Sequence, residues 1–415
     1  MKKQDVVVER VLQYKEGEKV KIAVIGIGSG GIQTLCHLLA WTKYEIVSIH
    51  DPNIPITGIG ESTNPTFIQD IQNGCDFNIY DSIQNADLDC SIKLGTVYKS
   101  WRKEDFVAPL LNGNVAIHMN TFKLKDWAIP RLKNKWGERF NEIHGRVDEV
   151  KNEKDCVKIK IDDKTHTFDY LIDCGGFPKE LNEEYTLANQ NVNHCLVHNK
   201  IEDGSNMLHT GHVATVDGWM FEVPLSTRIS YGYLFNNTIT DLETAKHNFS
   251  KQINVPEKEL QNIEFRFRSF YTNNLINNRI IKNGNRAVFF EPLAANSLWL
   301  YYQVNVMIVN FLLDIEENYP DIPKLTNMIN SYFVSTAKEL EQLIAMKYHG
   351  GSTIDSEFWV KIPNKCKNLL EKSEHLAKMK NLKDNDYIDN QDYRFFYDYH
   401  ALRIVDKQFE FNYIK

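Results

Sequence analysis

Residues 21–31 read KIAVIGIGSGG, in which a run of apolar residues meets the glycine pattern Gly26-x-Gly28-x-x-Gly31. The helical pattern QTLCHLLAW follows, and then a second apolar run, EIVSIH, which leads to Asp51, twenty positions after Gly31. This order predicts a strand, a tight turn, a helix and a second strand ending in a carboxylate. Such a unit binds a dinucleotide, because glycines let backbone N–H groups approach the pyrophosphate and the acid accepts from the ribose hydroxyls. The alternative is a glycine-rich turn before an ordinary helix.

Composition and charge are typical of a globular enzyme. Of the 415 residues, 42% are hydrophobic and 25% are charged, and this length leaves room for two or three structural units. The net charge of −7 argues against a nucleic-acid partner. The first residues mix both charges, which is not a signal-peptide pattern, and the most apolar run, residues 298–315, carries polar residues. We therefore expect no membrane association.

The cysteines and histidines argue against structural cross-links. The seven cysteines are odd in number and scattered, with no CxxC pair, which is typical of a reducing cytoplasm and argues against a disulfide framework or a zinc site. The histidines lack HxxxH spacing, so no metal site is predicted. The expected location is cytoplasmic.

The rest of the chain alternates strand and helix patterns. Residues 121–136 have helical spacing, apart from Pro130, and residues 144–178 read as a β-meander followed by a buried strand ending in Gly-Gly. Residues 206–236 read as strands of a second sheet, and residues 298–348 are helical in pattern. The aromatic-rich tail after residue 390 either caps a substrate cleft or forms a separate hydrophobic cluster.

Several motifs follow the glycine turn in a recognisable order. They are GIGEST at 58–63, SIKLGTVYKSW with Lys93, DYLIDCGGF at 169–177, WMFEVP at 219–224, NRAVFFEPLAANS at 285–297 and DSEFW at 355–359. From about residue 21 to residue 360 this order resembles the flavin-dependent halogenases of the tryptophan-halogenase type. The placement of Lys93, eight residues before Trp101, matches the family's catalytic lysine.

The resemblance implies a fold and a division of the chain. The fold class is α/β, an FAD-binding Rossmann-like fold of the flavin monooxygenase and halogenase type, with a second β-sheet for the substrate and a helical C-terminal region. Residues 1–20 would be an N-terminal extension, and residues 21–200 the FAD-binding region, with 285–300 returning to the flavin. Residues 201–284 would form the substrate-side β-sheet, and residues 301–415 a helical region that caps the substrate cleft.

The same resemblance implies a reaction and the residues that serve it. FADH2 from a separate reductase, O2 and a halide would give hypohalous acid, which Lys93 would guide to an electron-rich aromatic or indole-like substrate. The flavin-binding residues would be Gly26, Gly28, Gly30, Gly31, Asp51, Gly60, Glu61, Ser62, Gly284 and Asn285. The halide would lie at Asn296 and Ser297, and the substrate would contact Trp219, Phe221, Phe358 and Trp359.

Three departures from the family pattern affect these expectations. Phe221 and Val223 replace a tryptophan and an isoleucine but keep an apolar wall. Ala294 stands where tryptophan-specific members carry the glutamate that partners the lysine, and Ala295-Asn296-Ser297 replaces the halide-binding Ser-Thr-Gly. Free tryptophan is therefore a less expected substrate. The alternatives are a flavin-dependent aromatic hydroxylase and a non-catalytic flavin-binding protein; the substrate, its regiochemistry, the halide and homo-oligomerisation stay open.

Overall fold

The computed structural model describes residues 20–56, 58, 60–110, 113–293, 296–317 and 319–372. The predicted N-terminal extension, except for Val20, lies outside the described residues, as do Ala294, Ala295 and the aromatic tail.

The described residues form 21 strands and eight α-helices, and long runs of strands follow one another without an α-helix between them. The strands are β1 (Lys21–Ile25), β2 (Glu45–His50), β3 (Ser91–Lys93), β4 (Gly95–Lys99), β5 (Phe106–Pro109), β6 (Ala116–His118), β7 (Phe140–His144), β8 (Val147–Asn152), β9 (Val157–Ile161), β10 (Lys164–Phe168), β11 (Tyr170–Asp173), β12 (Tyr185–Leu187), β13 (His194–Lys200), β14 (His209–Thr215), β15 (Gly218–Pro224), β16 (Ile229–Phe235), β17 (Ile263–Arg266), β18 (Phe270–Thr272), β19 (Ile276–Asn277), β20 (Ile280–Lys282) and β21 (Val288–Phe289). The α-helices are α1 (Ser29–Trp41), α2 (Pro65–Cys75), α3 (Ser82–Asp87), α4 (Thr121–Trp136), α5 (Leu242–Ile253), α6 (Asn296–Glu316), α7 (Ile322–His349) and α8 (Glu357–Glu371). Short 3-10 turns occupy Gly137–Arg139, Glu257–Glu259 and Gly284–Arg286.

The first sheet has the order β19-β20-β11-β1-β2-β7 and is parallel except at the β19–β20 edge. Strand β1 lies in the middle of this sheet and is buried on both faces, as parallel strands are when other layers cover them. Ile22 and Val24 face a core shared with the helices, whereas Ala23 faces the antiparallel meander β8-β9-β10. The KIAVI run is therefore apolar throughout because both of its faces need covering.

The second large sheet has the order β17-β13-β16-β15-β14-β4-β5. One face shares the main core through residues such as Trp219, and the other packs against α5 through Met220 and Phe249. Strands β4, β5 and β13 come from within residues 21–200, so the predicted division at residue 200 is not a boundary between sheets, and β19 and β20 at 276–282 belong to the first sheet. The functional division of the chain stays a prediction.

Helix α6 corrects one expectation. By length and composition it is the one helix of the described chain that qualifies as a candidate membrane span, although the sequence analysis expected no such run. In the fold it packs against α1, α2 and α7, and 61% of its most apolar window is buried. This is the burial of a core helix, and the polar residue Asn305 inside it accepts a hydrogen bond from Asn283 at 2.8 Å.

Candidate active site

The glycine turn lies between β1 and α1, as the sequence predicts. Gly26 has a φ of +88°, and a Cβ added there would lie 2.5 Å from the Cys174 carbonyl oxygen. A Cβ on Gly31 would lie 2.0 Å from the Gly26 oxygen, so these two glycines close the turn onto itself. Gly28 differs, since a Cβ there meets nothing within 4 Å and no side chain caps the helix at this position. The helix therefore begins at an open cradle of the kind that holds a pyrophosphate.

The carboxyl ends of the parallel strands meet at this cradle. Asp51 follows β2 directly, and its Oδ1 accepts from Asn53 N at 2.8 Å, which fixes the carboxylate at the end of the strand. Gly284, with a φ of +58°, passes beside Gly30, where an added Cβ would lie 3.3 Å from the Gly284 Cα. Asn285 accepts from the Tyr301 hydroxyl at 2.5 Å. The structure thus brings together the residues predicted for the adenosine half and the Gly284–Asn285 turn, and their shape fits a dinucleotide.

The GEST loop, residues 60–63, crosses to the second part of the site. A Cβ on Gly60 would lie 3.8 Å from Leu298, so the loop borders the first turn of α6, where Asn296 and Ser297 lie. Glu61 is partly buried and pairs with Arg228, and Ser230 Oγ donates to its Oε2 at 3.0 Å. Burial raises the pKa of Glu61, which Arg228 and Ser230 oppose. In this structure Glu61 joins the loop to the second large sheet.

Lys93 is buried at the end of β3 with only 3% of its surface exposed. Its Nζ donates to Ser62 Oγ at 2.9 Å and to the Thr63 carbonyl oxygen at 2.8 Å. Burial lowers the pKa of Lys93 to about 7. A lysine with such a pKa has both its ammonium and its amine available near neutral pH, a property of catalytic lysines.

The predicted halide residues lie at the start of α6. Asn296 is the first residue of the helix, and its amide donates to the Leu293 carbonyl oxygen at 3.1 Å. A helix N-terminus favours an anion, because its first N–H groups and the helix dipole are directed outward. Asn296 and Ser297 therefore lie where a halide is electrostatically favoured. The GEST loop borders this helix start through Gly60 and contacts Lys93 through Ser62.

The predicted substrate residues lie on two elements. Trp219 and Phe221 are on β15, while Phe358 and Trp359 are on α8. Phe221 is partly buried over Gly232, and the other three are buried.

Phe358 and Trp359 on α8 belong to an aromatic cluster that sequence spacing did not reveal. Trp359 lies 5.2 Å from both Trp101 and Phe358 between ring centroids, and Tyr348 lies 6.1 Å away. Its Nε1 donates to the Thr215 carbonyl oxygen at 2.8 Å, which ties α8 to β14. In this structure Phe358 and Trp359 are buried packing residues, and their contact with a substrate stays a prediction.

His212 on β14 packs against the tryptophan on β15. Its ring lies 4.9 Å from Trp219, and its pKa is lowered by burial and by the charges of Lys347 and Lys93. Tyr348 donates to Glu291, a buried carboxyl whose pKa burial raises to about 7. His212 has no local sequence signal, and Glu291 lies inside the EPL segment of a quoted motif, but the partners of both side chains come from distant segments.

One group of metal-ligating residue types converges within the described part of the chain. His50, Glu142 and His144 place their ligand atoms within 4.8 Å of one another across β2 and β7. Sequence spacing did not reveal this group, since it spans two strands. Lys133 pairs with Glu142 and neutralises its charge, which disfavours a cation at this group. The absence of a metal site stays a prediction.

The fold and site together define a class: an α/β nucleotide-binding protein with a flavoprotein layout and a buried lysine beside the loop that follows the second strand. A family model described as tryptophan halogenase matches residues 21–158 and 133–405. The chain belongs to the tryptophan halogenase family.

Curated relatives are distant. The tryptophan 7-halogenase KtzQ of Kutzneria sp. (strain 744) is 23% identical over 220 residues, which cover 50% of this chain but 39% of KtzQ. The next two curated relatives are likewise covered over only 38% and 37% of their lengths. The tryptophan 6-halogenase ThaL of Streptomyces albogriseolus is 19% identical over 436 residues, 84% of this chain and 81% of ThaL.

Solved structures share the fold over most of the chain. MibH, a tryptophan 5-halogenase, superposes with a TM-score of 0.75 at 17% identity, covering 92% of this chain and 83% of MibH. A tryptophan halogenase from Shewanella frigidimarina NCIMB 400 gives 0.74 at 16% identity, with 94% and 93% covered. At these identities the likeness establishes the fold alone.

Proposed function

We propose that the protein is an FAD-dependent halogenase. It would use FADH2 from a separate flavin reductase, O2 and a halide to halogenate a small electron-rich aromatic or indole-like compound. The observation that carries this proposal is the buried Lys93, held by Ser62 and Thr63 beside the loop that borders the N-terminus of α6.

The residues present fit the cofactor and the halide. Bound FADH2, with O2 and halide, supplies hypohalous acid. The cradle at Gly28, the carboxylate of Asp51 and the turn at Gly284 and Asn285 would hold the flavin. The start of α6 at Asn296 would hold the halide through the helix dipole.

Lys93 has two ways to deliver the halogen. As an ammonium it donates a hydrogen bond to hypohalous acid and polarises the O–X bond toward an electrophilic halogen. As an amine it attacks the halogen, so that an N–X bond forms and the O–X bond breaks, and the departing hydroxide takes a proton from Nζ and leaves as water. A pKa of about 7 populates both forms, and the burial that lowers it also excludes water from the reagent.

The substrate class follows from the walls of the site. Phe221 is partly buried on β15 and offers apolar aromatic surface that suits a flat aromatic ring, and the fully buried Trp219 lies 6.4 Å from it between ring centroids. Ala294 replaces the carboxylate of tryptophan-specific members, which supports a substrate other than free tryptophan. We also propose a cytoplasmic location, on the cysteine pattern of the sequence.

The test supplies the protein with FAD, a flavin reductase, NADH and chloride, bromide or iodide, and presents a panel of phenols, indoles and pyrroles. Mass spectrometry separates products that gain halogen from products that gain oxygen. The variants are Lys93→Ala and, as a matched control, Lys151→Ala, an exposed lysine on the meander. FAD binding is measured for each protein.

Halogenated product from the wild type and from Lys151→Ala, but not from Lys93→Ala with FAD binding retained, supports the proposal. Unchanged halogenation by Lys93→Ala would show that this lysine is not required. Oxygenated product alone would identify a hydroxylase, and FAD binding without any product would identify a non-catalytic flavin-binding protein.

A further inference from the structure

A continuous row of buried hydrogen bonds leads away from Lys93, and we name it the Lys93 chain. Ser62 Oγ, which accepts from Lys93, lies 2.7 Å from Thr210 Oγ1. Thr210 Oγ1 lies 2.9 Å from His118 Nε2, and His118 Nδ1 lies 3.0 Å from Ser91 Oγ. The row ends where the Ser91 hydroxyl donates to the Pro224 carbonyl oxygen at 2.5 Å. The side chains of Ser91, Lys93, His118 and Thr210 are buried, and Ser62 is partly buried.

The two ends of the Lys93 chain fix the direction of every bond in it. A carbonyl oxygen only accepts, so the single Ser91 hydrogen points at Pro224, and Ser91 Oγ must accept from His118 Nδ1. Burial, with the charges of Lys93 and His209, lowers the pKa of His118 well below its ordinary value, so the ring is neutral and Nε2 is an acceptor. Thr210 therefore donates to His118.

The same reasoning continues to the lysine. Since the Thr210 hydrogen is used on His118, Thr210 Oγ1 must accept from the Ser62 hydroxyl, and Ser62 Oγ must accept from Lys93. The Thr63 carbonyl oxygen accepts a second Lys93 hydrogen. Two of the three substituent positions on Nζ are thus taken by N–H bonds, whether the lysine is charged or neutral.

Backbone pairing holds the members of the chain in place. Ser91 and Lys93 lie on β3, which pairs with β6 so that Ser91 faces His118. Ser62 forms a β-bridge with His118, supported by hydrogen bonds from Thr63 N to the Ile117 oxygen at 3.1 Å and from Met119 N to the Glu61 oxygen at 2.9 Å. The strand layout therefore places Ser62, Ser91, Lys93 and His118 next to one another.

We propose that Ser62, Thr210 and His118 are positioning residues for Lys93. They hold one Nζ hydrogen, the Thr63 carbonyl oxygen holds a second, and one Nζ position is left for the halogenating reagent. That position carries an N–H in the ammonium and a lone pair in the amine, so either delivery route uses the same direction in space. The neutral His118 sets the polarity of the chain. This inference rests on the proposed function, and Ala294 offers no carboxylate as an alternative partner for the lysine.

The first experiment reads the chain without turnover. In protein labelled with 15N-histidine, the signals of His118 are identified by their loss in His118→Gln. The expected result at pH 7 is a neutral ring with hydrogen on Nδ1, a pyrrole-like Nδ1 signal and a pyridine-like Nε2 signal. A hydrogen on Nε2, or a charged ring, would overturn the chain.

The second experiment removes one hydroxyl at a time. Thr210→Val keeps the side-chain shape and removes the link between Ser62 and His118, whereas Thr210→Ser keeps the hydroxyl. Thr215→Val is the matched control, a buried threonine on the same strand outside the chain. We expect Thr210→Val to lower kcat by about 10- to 100-fold, as displacement of a reacting group does. KM and FAD affinity should stay within about twofold, since neither ligand is contacted.

Lys93 also reports on the chain directly. In protein labelled with 13C-lysine, the Lys93 Cε signal, identified through Lys93→Met, should move in Thr210→Val and stay in place in Thr215→Val and Thr210→Ser. An unmoved signal and wild-type kcat in Thr210→Val would overturn the positioning role while leaving the proposed function intact. If the wild type makes no halogenated product, the proposed function fails, and the two NMR measurements still decide whether the chain holds Lys93.

Discussion

At the scale of single residues, Lys93 and Glu291 show how burial acts on opposite charges. Burial disfavours the charged form of each group, so it lowers the pKa of the lysine and raises that of the carboxyl, both to about 7. Tyr348 donates to Glu291 and opposes the shift without cancelling it. Near neutral pH the molecule therefore holds two buried groups whose charges are easily changed.

Glu291 has a consequence for stability that the variant Glu291→Gln tests. Because the folded pKa is above that of the unfolded chain, Glu291 binds its proton more tightly in the folded state. Its contribution is present in full below about pH 4.5 and is lost as the pH rises to about 7. The neutral glutamine has no such loss. We expect the wild type to lose about 3 kcal/mol relative to Glu291→Gln between pH 4.5 and pH 8, measured by urea unfolding at each pH. Parallel stability curves would show that the carboxyl is ionised in the fold.

At the scale of elements, the glycines of the β1–α1 turn have two different roles. Some of them close the turn, and one leaves it open. A side chain at Gly31 would strike the Gly26 carbonyl oxygen, whereas a side chain at Gly28 would enter open space at the helix N-terminus. The same GxGxxG pattern thus combines a packing requirement with a binding requirement.

The variants Gly31→Ala and Gly28→Ala distinguish these two requirements. Gly31→Ala should lower the free energy of unfolding by about 2 kcal/mol or more, because the obstructing atom belongs to the backbone. Gly28→Ala should keep its thermal stability but bind FAD about tenfold more weakly, since its methyl group would displace the pyrophosphate from the N–H groups. Thermal unfolding and fluorescence titration with FAD measure the two effects. The reverse assignment, with Gly28→Ala unstable and Gly31→Ala stable, would contradict this division of roles.

At the scale of the whole molecule, the Glu61–Arg228 pair joins the GEST loop to the second large sheet. The two side chains are 12% and 14% exposed, so neither charge is well solvated. Removing one partner of such a pair leaves the other buried without compensation, and this costs more than removing both.

A double-mutant cycle tests this link. Arg228→Met should destabilise the protein by about 3 kcal/mol at pH 8, and the double variant Glu61→Gln/Arg228→Met should recover most of that loss. The loss in Arg228→Met should be smaller at pH 5, where Glu61, whose pKa burial already raises, takes up a proton. Urea unfolding measures all four proteins. Additive single effects would show that the pair contributes no coupling between the loop and the sheet.

Local patterns predicted much of this fold. The β1–α1–β2 unit, the meander at 144–178 and the helices of the C-terminal third all have sequence periods that report which face is buried. The helix at 121–136 was also predicted, with Pro130 inside it. Sequence patterns did not reveal that β4, β5 and β13 join one sheet with β14–β17, because a period does not specify which strand lies next to which.

By itself the sequence determined the nucleotide-binding unit and the order of the family's motifs, since both depend on residues close together in the chain. Only the tertiary structure decided the surroundings of Lys93. Ser62 lies 31 residues away in sequence, and Thr210 lies 148 residues from Ser62. No sequence pattern singled out His118, and it is the central member of the Lys93 chain. These contacts exist because β3, β6 and β14 meet beside the GEST loop, and a hydrogen bond depends on distances in space that spacing along a chain does not encode.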